Sequence, residues 1–395
     1  MSFERRPGAG AYHLNRRAFA GLGAGAVLSG CAGLRGGDDD VVRAGFAHPP
    51  PLAPLNVSIG RLTRITVCIR PFRPAGPRLE AEMVGGKRVV HNYGHGGAGW
   101  SLSWGCAQDA AALALQGGVR PVAVIGAGVM GLTTALRLAE AGAAVTIYAK
   151  DFPMETRSAR ATGVWSPSSR IVLTGDAPPD FADRWEGWAR ASYSAHQRYV
   201  GAAAEPVEYV RQYYLSDGQS PGVPASRDFL HPDRRLSGLA PRWSDVPDTE
   251  NPFPVARARA GLIMTFNVAS YAERLTRDFL LRGGRMVRRS FPERAEILQL
   301  SEPVIVNCTG YGAKALWEDR TLAPVRGQIN WLAPQPEARY GVNYRGVFVI
   351  SRRDGVVVQK TGPNDDFGFG DESETPDRME MQDALATIAP LFADR

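Results

Sequence analysis

The residues most able to do chemistry in this 395-residue chain are Gly126-Ala127-Gly128-Val129-Met130-Gly131. They follow the apolar run Val122–Ile125 and open an amphipathic stretch. Gly126 permits a tight turn, Gly128 lets backbone approach a pyrophosphate, and Gly131 allows close helix–strand packing. Free N–H groups at the start of the following helix would face the phosphates. The spacing therefore predicts a bound dinucleotide touched by Gly126, Ala127, Gly128, Val129, Met130 and Gly131. Where an acid would receive a ribose hydroxyl, at the end of the next strand, Ala149 stands instead. Asp151 is either that contact or a solvated surface charge. Other chemistries find little support. Cys31, Cys68, Cys106 and Cys308 have no paired spacing, so no metal or disulfide framework is expected. A net charge of +6 with scattered arginines argues against nucleic acid as a partner.

The elements that must position the loop are legible around it. Residues 89–148 read β-α-β-α-β: Val89-Val90, a helix over Ser103–Gln116 closed by Gly117-Gly118, Pro121–Ile125, a helix over Val129–Ala141 and Ala144–Tyr148. That pattern predicts adjacent parallel strands joined by right-handed crossovers. Upstream, Leu62–Ile69 is β-rich, and Pro71, Pro74 and Pro77 are expected to end its ladder. Helices are expected over Phe181–Tyr199, Val268–Arg282 and Arg378–Phe392, and a short strand over Pro303–Val306. Residues 325–362 read as antiparallel, with Asp354-Gly355 as a hairpin turn. A hydrophobic share of 44% with 22% charged residues suits a soluble globular protein of about two domains.

The first residues read as a processing signal. Asn15-Arg16-Arg17-Ala18-Phe19 carries a twin arginine, and the Gly/Ala-rich stretch Ala18–Ser29 is too short to span a bilayer. Leu28-Ser29-Gly30-Cys31 places small residues before a cysteine, as a lipoprotein signal peptidase requires. Residues 1–31 are thus expected to direct export by the twin-arginine route, with Cys31 lipidated and residues 32–57 serving as a Gly/Pro-rich tether. The protein would then sit on the periplasmic or cell-surface face of a bacterial membrane, held by its acyl chains.

Beyond the glycine loop stand Asn307-Cys308-Thr309-Gly310, Ile69-Arg70-Pro71-Phe72-Arg73-Pro74 and His91-Asn92-Tyr93-Gly94-His95-Gly96-Gly97. Through these four motifs the chain resembles the D-amino-acid oxidase family of flavoproteins over roughly residues 60–395. The resemblance implies FAD as cofactor and makes Arg70 the group that grips the substrate carboxylate, a task suited to a planar guanidinium. It makes the Gly97 carbonyl the acceptor for the α-amino proton. It places Gly96, Gly97, Gly99, Trp100 and Ser101 against the flavin, where glycines let backbone approach the ring. Arg157, Ser158, Thr162, Gly163 and Val164 match the loop that wraps the cofactor, with Arg157 and Ser158 where the family has threonines. Cys308 and Thr309 are further cofactor contacts. Tyr344 and Phe348 match a pair of positions that are usually tyrosines, so Tyr344 is expected to donate to the carboxylate and Phe348 to wall the pocket. Gln359-Lys360 replaces a glycine pair. His91 and His95 are read as structural. Arg339, Arg345, Arg352 and Arg353 would either favour an acidic substrate side chain or form a solvated face.

The motifs stand in an unusual order, since the arginine motif and the HGG turn precede the glycine loop. This implies a circularly permuted α/β protein, a Rossmann-like FAD-binding domain plus an antiparallel-sheet substrate domain. The FAD-binding part is expected over about 87–168 and 255–325, and the substrate part over about 58–86, 169–254 and 326–395, within 58–395. The implied function is FAD-dependent oxidative deamination of a D-amino acid to a 2-oxo acid, ammonia and hydrogen peroxide, with dioxygen as acceptor. The alternatives are a lipid-anchored dehydrogenase reducing quinone, an oxidase of glycine or N-alkyl amino acids, and an FAD-containing binding protein.

Overall fold

Two sheets, packed by several hydrophobic cores of which one is shared between them, bring the motifs to one cavity. The computed structural model describes residues 52–118, 120–218, 226–239 and 242–393. The signal segment with Cys31, and the tether as far as Pro51, lie outside the described residues. In chain order the strands are β1 (Leu62–Phe72), β2 (Arg78–Val84), β3 (Lys87–Tyr93), β4 (Pro121–Ile125), β5 (Ala144–Ala149), β6 (Val207–Ser216) and β7 (Ser244–Asp245). They continue with β8 (Arg257–Phe266), β9 (Arg285–Arg288), β10 (Val304–Asn307), β11 (Ala323–Leu332), β12 (Tyr340–Tyr344), β13 (Val347–Arg352) and β14 (Gly355–Lys360). The helices are α1 (Gly99–Ala114), α2 (Val129–Glu140), α3 (Phe181–Gln197), α4 (Val268–Leu281), α5 (Arg294–Leu298), α6 (Ala313–Leu316) and α7 (Arg378–Ile388).

The six-stranded sheet runs β2-β3-β10-β4-β5-β9, parallel throughout except for the antiparallel β2–β3 pair. Its side chains alternate between two cores, as strand geometry requires. Val122 and Val124 pack with α1, α2 and α4, whereas Ala123 and Ile125 pack with Trp317, Ile297 and Phe291. One sequence expectation is corrected here. β3 and β4 are parallel but not adjacent, because β10 is inserted between them. Strands lie about 4.8 Å apart, so skipping one adds little to a crossover made by the 16-residue α1. Such an insertion leaves no local mark on β3 or β4.

The eight-stranded sheet runs β1-β11-β14-β13-β12-β6-β8-β7, with one parallel pair, β12–β6. The β13–β14 hairpin forms where expected but turns at Arg353-Asp354, one residue before the Asp354-Gly355 read from the sequence, because Gly355 already pairs with Arg352. Pro71 does not end β1. The strand is the sheet's edge, so a missing N–H costs no ladder bond on its open side, and Pro71 pairs with Pro324. One face packs on α7 through Met381, Leu385 and Ile388. Leu55 and Val57 join that core, so packing begins before Val57. β2 belongs to the six-stranded sheet and β8 to the eight-stranded one, which moves both across the expected partition. Among the described residues no helix is long and apolar enough to cross a membrane, and no His/Cys/Asp/Glu cluster could hold a metal.

Candidate active site

The carboxyl ends of three neighbouring parallel strands build the site. β3 runs into the His91–Gly99 turn, β10 into Asn307–Gly310, and β4 into the glycine loop. In open α/β sheets this edge is where ligands bind. The ends are pressed together. Gly126 has φ +108°, and a β-carbon there would stand 2.5 Å from the Cys308 carbonyl oxygen. A β-carbon on Gly131 would stand 1.9 Å from the Gly126 carbonyl oxygen. Gly131 therefore works by packing and does not line the cavity, whereas Gly126, Ala127, Gly128, Val129 and Met130 do.

The cofactor loop closes over the start of α2. Ser158 Oγ accepts the Val129 N–H at 3.0 Å, and the Ser158 carbonyl accepts the Trp100 indole N–H at 2.9 Å. Ser158 thus ties the first turns of α1 and α2 together. Arg157, Ser158, Thr162, Gly163, Val164, Cys308, Thr309 and Asp151 all reach the cavity wall. Arg157 and Arg160 share Glu374 as their ion partner.

The glycine-rich turn continues into α1 at Gly99, four residues earlier than the sequence suggests. Gly96, Gly97, Gly99 and Trp100 line the cavity, so the helix's free N–H groups point there. Ser101 does not line it. Its side chain is buried, and Oγ accepts the Ser166 N–H at 2.8 Å, locking the helix to the cofactor loop. Gly97 donates its own N–H to the Ser169 carbonyl at 3.0 Å, and a β-carbon there would meet Ser169 Oγ at 2.4 Å.

Arg70 lies in the same cavity. Its Nη1 donates to the carbonyls of Arg326, at 3.1 Å, and Val325, at 3.5 Å. Burial lowers its pKa, but from so high a starting value that it stays charged. Tyr344 is a correction. Along β12, Tyr340, Val342 and Tyr344 face the α7 core, and the Tyr344 hydroxyl donates to the Asp217 carboxylate at 3.0 and 3.1 Å. Its neighbour Asn343 faces the cavity instead, paired across to Phe348, which pairs in turn with Gln359. These three form a row that sequence matching reads one residue out on β12. Arg339, Arg345, Arg352 and Arg353 also lie away from the cavity. They pair with Glu205 and Glu208, with Asp217, with Asp354 and with Glu205 respectively.

The buried histidines are neutral and structural, with one exception. Burial lowers the pKa of His91, which is held between Glu82, at 2.7 Å, and Asn307, at 3.0 Å. His196, pushed down to about 3 by burial, bridges Tyr271 Oη at 2.8 Å and the Trp100 carbonyl at 3.1 Å. His95 is also pushed down to about 3 by burial, but its Nε2 has no partner among the described residues, and it stands on the cavity wall. Burial pushes the Cys308 thiol up to about 12, so it is no redox nucleophile.

Cavity and residues fit a flavin dinucleotide. The volume is about 690 Å³, within the usual range for cofactor sites. Glycines stand where backbone must approach, two helix starts face inward, and the orphan His95 Nε2 awaits a polar partner. The comparisons agree. A family model described as "DAO: FAD dependent oxidoreductase" matches residues 121–395, beginning at the first residue of β4. A D-amino-acid oxidase of Dictyostelium discoideum is 25% identical over 283 residues, covering 68% of this chain and 73% of that one. One from Streptomyces coelicolor is 31% identical over 220 residues, covering 53% and 61%. Glycine oxidase from Geobacillus kaustophilus has 15% identity and a TM-score of 0.49, over 69% of this chain and 79% of that one. The glycine loop, the strand ends that frame it and the matched family together make this chain a member of the DAO family of FAD-dependent oxidoreductases.

Proposed function

We propose that this protein oxidises D-amino acids to 2-oxo acids and ammonia. The observation that carries the reading is that Arg70 and Gly97 share one cavity with the glycine loop. Arg70 presents the edge not spent on β11 carbonyls to the substrate carboxylate. The Gly97 carbonyl accepts from the neutral α-amine, its position fixed by the Ser169 bond and by the start of α1. Phe348, Asn343 and Gln359 form the far wall. FAD held by the glycine loop and the His91–Gly99 turn would supply the acceptor for the hydride leaving Cα, with dioxygen as the final two-electron oxidant reduced to hydrogen peroxide. The imino acid released hydrolyses in water. Orientation is the protein's main contribution, and no side-chain base is needed if the amine binds deprotonated. Peroxide release and 2-oxo acid formation across a panel of D- and L-amino acids test the reading, and a response to L-enantiomers alone would defeat it.

Export and anchoring belong to the same proposal. Arg16-Arg17 and Cys31 support a twin-arginine lipoprotein signal, and a membrane location supports quinone as an alternative electron acceptor. Cys31→Ala should release the protein from the membrane fraction. The reordered chain is proposed as a circular permutation. What supports it is that the family match starts at β4, whereas β1 and β3 upstream pair with β11 and β10 inside that match.

A further inference from the structure

Seven basic side chains stand on the cavity wall among the described residues, and five have an acidic partner at the surface. Arg157 and Arg160 share Glu374, Lys150 pairs with Asp151, Lys360 with Asp383, and Arg289 with Glu296. Arg70 and Arg170 remain, both buried deeply enough that desolvation is the largest influence on each. Arg170 is 9% exposed and holds φ +48°, a left-handed conformation unusual for a non-glycine residue. The surroundings enforce it. A β-carbon on Gly96 would stand 1.8 Å from the Arg170 carbonyl oxygen, and Gly97 donates to Ser169 beside it. Backbone strain held in this way by its surroundings clusters at functional sites.

The Arg170 guanidinium is half satisfied. Nε donates to the Asp365 carbonyl at 2.6 Å, and Nη2 lies 3.4 Å from Asp365 Oδ1. Among the described residues its bonds run through Nε and Nη2, and none runs through Nη1. Asp365 is already shared, because its Oδ2 lies 3.3 Å from His231 Nε2. Of the cavity's acids, only Asp365 and Asp151 are present, and Asp151 stands beside Ala149 at the dinucleotide end. Two buried guanidiniums on the cavity wall therefore share one committed carboxylate, and each has N–H groups left over from its bonds to described residues.

We propose that Arg170 is a second anion anchor, binding the side-chain carboxylate of an acidic D-amino acid while Arg70 holds the α-carboxylate. The proposal rests on the D-amino-acid reading above and names its substrate class. A charge-assisted hydrogen bond of this kind corresponds to roughly 10- to 100-fold in affinity.

The test separates the two readings by using ligands that cannot be oxidised. Holoprotein is titrated with glutarate and with butyrate, read by perturbation of the flavin's visible absorbance. Glutarate is expected to bind roughly 10- to 100-fold more tightly. Arg170→Met should collapse the ratio toward one, Arg170→Lys should keep an intermediate ratio, and Arg70→Met should weaken both ligands. A ratio near one in the parent protein overturns the proposal, as does an unchanged ratio in Arg170→Met. With turnover, D-glutamate should outperform D-glutamine. If D-alanine is oxidised but the glutarate preference is absent, only the anchor fails. If glutarate is preferred but no D-amino acid is oxidised, only the oxidase reading fails.

Discussion

Arg70 lies directly against the backbone of Gly327, so that a β-carbon on Gly327 would stand 2.3 Å from Nη2 and 2.6 Å from Nη1. The glycine on β11 is therefore the floor on which the Arg70 guanidinium rests, with Nη1 hooked onto the two carbonyls that precede it on that strand. Gly327→Ala should lift Arg70 out of place without touching the glycine loop. The expected result is a KM for D-amino acid raised by roughly 10-fold or more, with the FAD content of the purified protein unchanged. Loss of FAD instead would show that the strand itself had moved.

Gly126→Ala should act at the other end of the cavity. The new methyl would meet the Cys308 carbonyl, and φ +108° is a region that an alanine rarely adopts. Strain of about 1–3 kcal/mol at the point where β4 meets β10 should empty the site. The flavin-to-protein absorbance ratio would fall well below that of the parent, while far-ultraviolet dichroism would still report a folded chain.

Asn343 and Tyr344 make opposite predictions from adjacent positions. Tyr344→Phe removes a hydroxyl committed to Asp217, so KM should move by less than about twofold and stability should fall by about 1 kcal/mol. Asn343→Ala alters the cavity wall, and should change KM or the preference among side chains. Steady-state kinetics on several D-amino acids would check both, and the reverse pattern would restore Tyr344 to the pocket.

These two residues also show what the sequence reveals and what it hides. The glycine loop, the HGG turn and the arginine motif are local, and each is legible because backbone geometry demands glycine or because a charge stands in a fixed frame. Tyr344 could not be placed that way. Side chains alternate along a strand, so a displacement of one residue exchanges core for cavity. The insertion of β10 between β3 and β4 was equally hidden, because that pairing joins segments far apart in the chain. Arg170 and Asp365 meet only when the loop after β14 folds back, with Gly370 bonded to Pro324 and Arg326 to Gly368. Ser101 reads as a ligand contact in sequence but proves to be a clasp between two backbone segments.

His196 makes stability depend on pH. Its folded pKa is about 3, lowered by burial, against about 6.5 when unfolded. The unfolded chain takes up the proton first, so the contribution is complete above pH ~6.5 and is lost as pH falls from there toward 3. The loss should reach roughly 2 kcal/mol by pH 5. Urea midpoints of the parent protein should drop over that window, and His196→Gln should flatten the drop. Parallel curves would mean that His196 is protonated in the folded state.

Under the proposed function the cavity presents a D-amino acid to bound FAD. Anaerobic mixing of the holoprotein with D- and L-enantiomers, followed by the flavin's visible absorbance, tests it most directly. The expected result is rapid bleaching by D-enantiomers, little or none by L-enantiomers, and recovery on admitting air with release of hydrogen peroxide. A flavin that stays oxidised with every D-amino acid offered would contradict it.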